Sequence, residues 1–306
     1  MSQPLVLKWI LDTRTLWPEA KATKDPPPPP RPVSPLSNIY LTTPKASRAL
    51  SLLTHEERTS VLKYYFVKDA KLALGSALLK RHAISSTLGI PFSAATPTRA
   101  PPGSKPVFLR PDGSEPLVFN VSHQAGLVAL VGVLRRSADG GGVDVGVDVV
   151  CPGERRDRDH ALIAKDGWPR YVDMHESVFA AAECARLLDL GREVGRDEAL
   201  EYFYALWCLR EGYVKMTGEA LLAEWLGELE MRNFAPPEGS SDDRPPLEVW
   251  FRGARVGDDV DVRLERYLAD YMVCTVVRGD VGGGLGGGFE SLDLNALLDA
   301  AEKSNS

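Results

Sequence analysis

Residues 140–150 read GGGVDVGVDVV, in which Gly142-Val143-Asp144 is followed four positions later by Gly146-Val147-Asp148. Valines that alternate with small or acidic residues behind a glycine turn spell a β-strand. This strand lies near the middle of the chain and carries two aspartates. A carboxylate in a strand must face water or have something to bind.

On either side of the strand the element content is similar. Ahead of it, LVLKWIL (5–11) reads as a strand and DPPPPPRPVSP (Asp25–Pro35) as polyproline-like or irregular backbone. LLTHEERTSVL reads as a short helix capped by Thr54 with glutamates in its first turn. YYFVKDAKLALGSALLKRHAI has the rhythm of an amphipathic helix through Phe66, Ala70, Ala73 or Leu74, Ala77 or Leu78, and Ile84. The turn-rich TPTRAPPGSKPVF leads to FNVSHQAGLVALVGVL, a hairpin folded about Gln124-Ala125-Gly126.

Behind the central strand, GERRDRDH reads as a charged loop. Helices are expected at about Ser177 to Leu190 and Asp197 to Thr217, and strands at LEVWF and YMVCTVV. FAPPEGSSDDRPP reads as a loop insertion, and GDVGGGLGGG as a flexible linker before a last helix at about Leu292 to Glu302. The expected fold is α+β, with two similar lobes related by pseudo-twofold symmetry. Each lobe is an antiparallel sheet packed on a long helix, and the site lies in the cleft between them. The expected divisions are an N-terminal lobe at 1–142 with a Pro-rich loop at 25–36, a C-terminal lobe at 143–280, and a Gly-rich linker with a short helix at 281–306.

Bulk properties exclude several classes. The 306 residues are 44% hydrophobic and 25% charged, as in an ordinary globular protein. A net charge of −6 argues against a general nucleic-acid binder, which needs a basic face. The four cysteines form no CxxC pair, so neither a zinc site nor a disulfide framework is expected, and their usage suits reduced thiols in a cytoplasmic protein. No apolar run approaches about 18 residues and no signal peptide is visible, so no membrane association is expected.

Three segments hold polar residues within apolar structure: Asp148, Ser122-His123 in FNVSHQ, and the line Trp207, Glu211, Lys215, spaced by four on one helical face. Each alone has a plain explanation. Asp148 fits a solvent-facing strand end, His123 a hydrogen-bonded turn, and Glu211–Lys215 a solvated i,i+4 pair.

In this order, however, the segments resemble the 4′-phosphopantetheinyl transferases, in particular the larger two-lobed type of the surfactin-synthetase activators and the aminoadipate enzymes. The resemblance runs from about Leu52 to Val277 through VKDAKLALGSALL, GSKPVF, FNVSHQ, VGVDVV, VFAAAECARLL and LWCLREGYVKMTGEAL. The last contains a W-x-x-K/R-E-x-x-x-K signature at Trp207, Arg210, Glu211 and Lys215. The proline run and the insertions fit a fungal member.

The resemblance implies transfer of the phosphopantetheine arm of coenzyme A to a serine of apo acyl or peptidyl carrier domains, with release of 3′,5′-ADP. Such carriers belong to fatty acid synthase, polyketide synthase, nonribosomal peptide synthetase and aminoadipate reductase. A serine attacking the β-phosphorus of a pyrophosphate needs gathered negative charge and an in-line geometry. Mg²⁺ suits that task with one or two carboxylates plus phosphate oxygens and water. By resemblance Asp148 and Glu211 hold Mg²⁺ (Mn²⁺ serving as well), Glu211 takes the serine proton, and Lys215 holds the pyrophosphate. Lys68, Arg99, Lys105, Pro106, Ser122 and His123 are the implied coenzyme A contacts. The first lobe is thus the coenzyme A side and the second the metal and catalytic side. One chain carries both lobes, so a monomer is expected. The implied carrier surface is an apolar patch with a few basic residues near 177–190 and 199–217.

The two aspartates are separable. They share a strand face but stand roughly 13 Å apart at about 3.3 Å per residue, so one ion cannot join them. Val145 to Val149 fits the family's hydrophobe-Gly-hydrophobe-Asp-hydrophobe pattern, whereas Gly141 stands where the leading hydrophobe of the first unit belongs. Asp148 is therefore the expected ligand and Asp144 the solvent end. Many bacterial relatives carry a third acid two positions further on, where this chain has Val150. Water, or Glu183 in the VFAAAEC helix, then completes the set. A coenzyme A-binding regulatory protein and a Mg²⁺-dependent pyrophosphatase remain alternatives that use the same residues.

Overall fold

The computed structural model describes residues 5–18, 20–22, 39–40, 44–99, 105–135, 142–219, 221, 223–237, 245–281 and 285–306. The Pro-rich loop, the glycines before Gly142 and the middle of the 234–246 insertion lie outside the described residues.

The first part of the chain runs β1 (Val6–Asp12), the short pair β2 (Lys21–Ala22) and β3 (Ile39–Tyr40), then helices α1 (Pro44–Ser51), α2 (His55–Leu62) and α3 (Val67–Leu88). A second short pair, β4 (Thr98–Arg99) and β5 (Pro106–Val107), precedes the hairpin β6 (Leu117–Gln124) and β7 (Leu127–Leu134). The opening motif is β8 (Asp144–Val150), followed by α4 (Pro152–Asp166), α5 (Trp168–Asp173), α6 (Ala181–Glu193) and α7 (Arg196–Thr217). Then come β9 (Leu229–Arg232), β10 (Glu248–Phe251), β11 (Ala254–Arg255), the hairpin β12 (Val260–Tyr267) and β13 (Tyr271–Arg278), β14 (Glu290–Ser291) and α8 (Leu294–Ser304).

The fold is a mixed α and β structure built on two principal sheets, ordered β14-β1-β7-β6 and β12-β13-β8. Strand alternation divides the core into three layers. Leu7, Leu11, Phe119, Val128 and Leu130 face α3 and α8, while Ile10, Val118, Ala129 and Val131 turn the other way. There they meet Val145, Val147, Val149 and Val273 of the second sheet. Beyond that sheet, α7 packs with α4–α6 through Phe203, Leu206, Leu209 and Met216. Edge strands β6 and β8 run beside each other where the sheets meet.

Local chemistry explains the element boundaries. Thr54 and Glu57 form a reciprocal capping box at α2. Both α3 and α7 stop at a left-handed glycine, Gly89 (φ 64°) and Gly218 (φ 82°).

Several expectations are corrected. GERRDRDH is helical, the first turns of α4: Pro152 opens it, Arg155 pairs with Asp159 one turn on at 3.7 Å, and its few buried residues include Asp159 and Ile163. So polar a helix gives no apolar rhythm to read. Residues 177–180 precede α6, at whose start the Ala180 amide donates to the Glu183 carboxylate. The first sheet is not purely antiparallel, because β14 joins β1 in parallel register. The chain after β13 also crosses back to the first sheet. Leu285 is fully buried between the sheets, and α8 packs into the α3 core through Leu294, Leu297 and Leu298. Among the described residues no helix is long and apolar enough to cross a membrane.

Candidate active site

Gly146 and Asp148 share the face of β8 that looks at α7. A β-carbon on residue 146 would overlap the Gly212 carbonyl and the Met216 amide, and one on Gly212 would come 2.7 Å from Cys274 Sγ. Two glycines therefore let helix backbone rest directly on strand. That contact carries the Trp207-Glu211-Lys215 line of α7 to Asp148, which is only 5% exposed. Buried Cys208 and Cys274 lie close beneath, and burial pushes both thiols well above their ordinary range. All four cysteines are free.

Strand β6 brings the remaining polar groups. Ser122 Oγ donates to Asp148 Oδ1 at 2.9 Å and accepts from Lys215 Nζ at 3.0 Å. Lys215 also donates to Asp148 and lies 3.9 Å from Glu211. Strand alternation divides the Ser-His pair: Ser122 turns to Asp148, whereas His123 shares the α3-facing parity of Phe119. Both still line one cavity of about 250 Å³. Its lining includes the polar Ser122, His123, Gln124, Asp148, Glu211 and Lys215, together with Arg155, His175, Phe203, Tyr204 and Trp207.

Burial and the neighbouring Asp148 carboxylate raise the Glu211 pKa, with Lys215 opposing. Burial presses Lys215 toward its neutral form, but Asp148 and Glu211 outweigh it and the ammonium is held above its usual value. Burial lowers the His123 imidazole, which is then neutral near pH 7. Two carboxylates and one lysine thus share a space that water reaches poorly.

That donor set fits a hard cation, which would relieve the carboxylate repulsion, with phosphate oxygens or water completing the shell. No group of three or more His, Cys, Asp or Glu side chains able to hold a metal occurs among the described residues. Val150 supplies no oxygen. Nor does Glu183 approach: its carboxylate accepts from the Met231 amide at 2.6 Å and the Ala180 amide at 2.8 Å, and it pairs with Arg210. Arg210, wholly buried, also donates to the carbonyls of Leu226 and Leu229. The Arg of the helix signature is therefore a bolt between α6, α7 and β9.

The other expected residues lie outside the cavity. Lys68, at the start of α3, is largely exposed and meets Glu154 of α4 at 3.4 Å. Arg99 and Pro106 are cross-strand partners in the β4–β5 pair, which places Arg99 beside the Lys-Pro motif. Lys105 Nζ lies 3.4 Å from Asp144 Oδ1 and donates to the Met216 carbonyl at 3.3 Å. Asp144 is half exposed and also faces Arg278, as a strand-entry residue would.

Two residues of FNVSHQ were not singled out. Asn120 Nδ2 donates to the Lys215 carbonyl at 3.2 Å, and Gln124 Oε1 accepts from the Cys151 amide at 3.1 Å. The period of two places Asn120, Ser122 and Gln124 on one face, so the signal was present in the spacing. Asn120 and Lys105 together satisfy the carbonyls that the end of α7 leaves unpaired.

Residues 42–135 match the family described as 4′-phosphopantetheinyl transferase, N-terminal, and residues 144–252 match the 4′-phosphopantetheinyl transferase superfamily. The chain is 51% identical to 4′-phosphopantetheinyl transferase 1 of Fusarium mangiferae, over 99% of this chain and 98% of the relative. It is 31% identical to 4′-phosphopantetheinyl transferase NpgA of Emericella nidulans, over 93% of this chain and 85% of the relative. The L-aminoadipate-semialdehyde dehydrogenase-phosphopantetheinyl transferase of Schizosaccharomyces pombe is 28% identical over 55% of this chain and 60% of its own.

Proposed function

The chain belongs to the 4′-phosphopantetheinyl transferase family, and from that premise we propose how its own residues carry the reaction. The enzyme moves the 4′-phosphopantetheine arm of coenzyme A to a serine of an apo acyl or peptidyl carrier domain and releases 3′,5′-ADP. Carrier domains of polyketide synthases, nonribosomal peptide synthetases, fatty acid synthase and aminoadipate reductase are the acceptors.

The serine Oγ attacks the β-phosphorus of coenzyme A. The bond from that phosphorus to the bridging oxygen breaks, and its electron pair leaves with 3′,5′-ADP. Glu211, whose carboxylate lines the cavity beside Asp148 and Lys215, takes the serine proton directly or through one water. Lys215, whose ammonium is held charged, meets the pyrophosphate and stabilises the departing ADP. Asp148 and Glu211 would hold Mg²⁺, or Mn²⁺, and the ion would supply positive charge to the pyrophosphate. Ser122 and His123 orient the phosphates, and Lys68, Arg99, Lys105 and Pro106 engage the nucleotide end. Lys105 then exchanges its hold on Asp144 for the ligand.

The topology supports a pseudo-twofold. The order β1-β7-β6 and the order β8-β13-β12 each place a first strand beside the second strand of a later hairpin. Each half also contains a helix of 22 residues, α3 or α7. The β6–β8 seam has a counterpart where Lys8 of β1 pairs with Glu265 of β12 at 2.5 Å. The lobes are 1–142 and 143–280, and 281–306 returns to complete the first. A cytoplasmic monomer is the proposed form, since one chain carries both lobes.

The observation that carries this reading is the convergence of Asp148 from β8, Glu211 and Lys215 from α7, and Ser122 from β6. An apo carrier domain incubated with the enzyme, coenzyme A and Mg²⁺ gains the mass of one phosphopantetheine. The absence of any gain across several carriers contradicts the assignment.

A further inference from the structure

The charged side chains that line the cavity are Asp148, Glu211, Lys215 and Arg155 of α4. The first three are engaged with one another: Lys215 donates to Asp148 and Ser122 and lies 3.9 Å from Glu211. Burial holds both lining histidines, His123 and His175, toward their neutral forms. Among the described residues, Arg155 is thus the lining cation with no anionic partner inside the cavity.

The placement of Arg155 is built into the fold. Its Nε stands 3.7 Å from Asp159 Oδ2, beyond hydrogen-bond range, and its side chain is half exposed. Asp159 is 1% exposed and accepts from the Tyr204 hydroxyl at 2.7 Å. Tyr204 belongs to α7, so this buried carboxylate ties the first turns of α4 to the helix that carries Glu211 and Lys215. The neighbours of Arg155 are otherwise placed. Glu154 meets Lys68 at 3.4 Å, Arg156 meets Glu201 at 2.5 Å, and Asp157 and Arg158 are exposed and do not line the cavity. Arg155 therefore keeps a planar fork of N–H donors for a ligand, the geometry that matches two oxygens of one phosphate.

At about 250 Å³ the cavity is below the roughly 300 Å³ at which cofactor-sized pockets begin, so it takes the reacting end of a large ligand. For coenzyme A that end is the pyrophosphate. With a divalent cation bound, the two carboxylates, the two ionised pyrophosphate oxygens and the Lys215 ammonium leave one negative charge over, which Arg155 neutralises. We propose that Arg155 grips the non-bridging oxygens of the phosphoryl group that is transferred, while Lys215 serves the departing 3′,5′-ADP. This rests on the transferase reading above. Arg155 gives up no proton, and Asp159 positions its fork.

The test sets Arg155→Gln beside Arg155→Lys. Each is titrated by calorimetry with coenzyme A and with 3′,5′-ADP in the presence of Mg²⁺, and each is assayed for carrier loading. Arg155→Gln is expected to bind coenzyme A about tenfold or more weakly, as for loss of a charge-assisted pair. Its affinity for 3′,5′-ADP, which lacks the transferred phosphoryl, stays within about twofold of the parent. Its kcat falls about a hundredfold, as for loss of one donor to the reacting group. Arg155→Lys keeps the charge beside Asp159 but not the fork, so it falls between the two and remains informative where glutamine disturbs the fold. Variants with the parent's coenzyme A affinity and kcat overturn the proposal. So does an equal loss for 3′,5′-ADP, which assigns Arg155 to the nucleotide, or a rise confined to the carrier KM, which assigns it to the protein partner. Failure of the parent enzyme to load any carrier overturns the transferase reading and this proposal with it, an outcome read on the parent and not on the variants.

Discussion

The Gly212 carbonyl fills the space that a β-carbon on Gly146 would need. That single contact sets the height of α7 above β8, and therefore the distance from Asp148 to Glu211 and Lys215. Overfilling it moves the helix, because backbone cannot rotate aside as a side chain can. Gly146→Ala is expected to cost about 1–3 kcal/mol in stability, as overpacked sites do, and to lower transfer by more than that loss explains. Denaturant midpoints measured beside loading rates separate the two effects.

The Glu183–Arg210 pair predicts an asymmetry. Both side chains are buried, and Arg210 is tied to three elements at once. Removing one partner strands the other charge, at a cost of about 3–5 kcal/mol. Glu183→Gln and Arg210→Met should each lower the unfolding midpoint strongly, and the double variant should be less destabilised than their sum. Urea titration of the four proteins checks this.

Asn120 makes a subtler prediction. Its amide holds the Lys215 carbonyl, while its own Oδ1 is buried with no hydrogen-bond partner among the described residues. Asn120→Ala loses a donor, whereas Asn120→Asp turns an acceptor toward an acceptor. Loading rates should rank Asn above Ala above Asp. The loss should fall on kcat, by about ten- to hundredfold for Asp, because the lysine is misplaced rather than removed.

How far the site could be read from sequence follows from where its signals lie. Strand and helix periods put Asp148, Glu211 and Lys215 on definable faces, while their roles came from the resemblance; the capped helix at Thr54 and the hairpin at Ala125-Gly126 were legible because their turn chemistry is local. Helix α4 was not, since its stability comes from ion pairs and from Asp159, which accepts a hydrogen bond from Tyr204 at 2.7 Å across the core. The role of Gly146 was equally hidden: a glycine required by a helix 66 residues away looks like any strand glycine. Glu183 stood as an alternative to water for the third metal position because its burial with Arg210 is a tertiary fact.

Metal removal gives a further expectation. Two carboxylates without a third protein ligand make a weak site whose shell depends on phosphate and water. Chelation should abolish loading, and Mg²⁺ or Mn²⁺ should restore it. Val150→Asp, which adds an oxygen at the cavity wall, should lower the Mg²⁺ concentration giving half-maximal rate. A rate unaffected by chelator contradicts the role given to Asp148.

The central claim is that Glu211 acts on the reacting atoms beyond its share in holding the metal, a share that the amide oxygen of a glutamine can keep. Coenzyme A titration by calorimetry and carrier loading by mass spectrometry, both performed on Glu211→Gln, test it directly. The expected result is coenzyme A affinity within about threefold of the parent and loading reduced at least about a hundredfold, the range of a lost general base. Equal loss of binding and loading, or loading that persists, contradicts it.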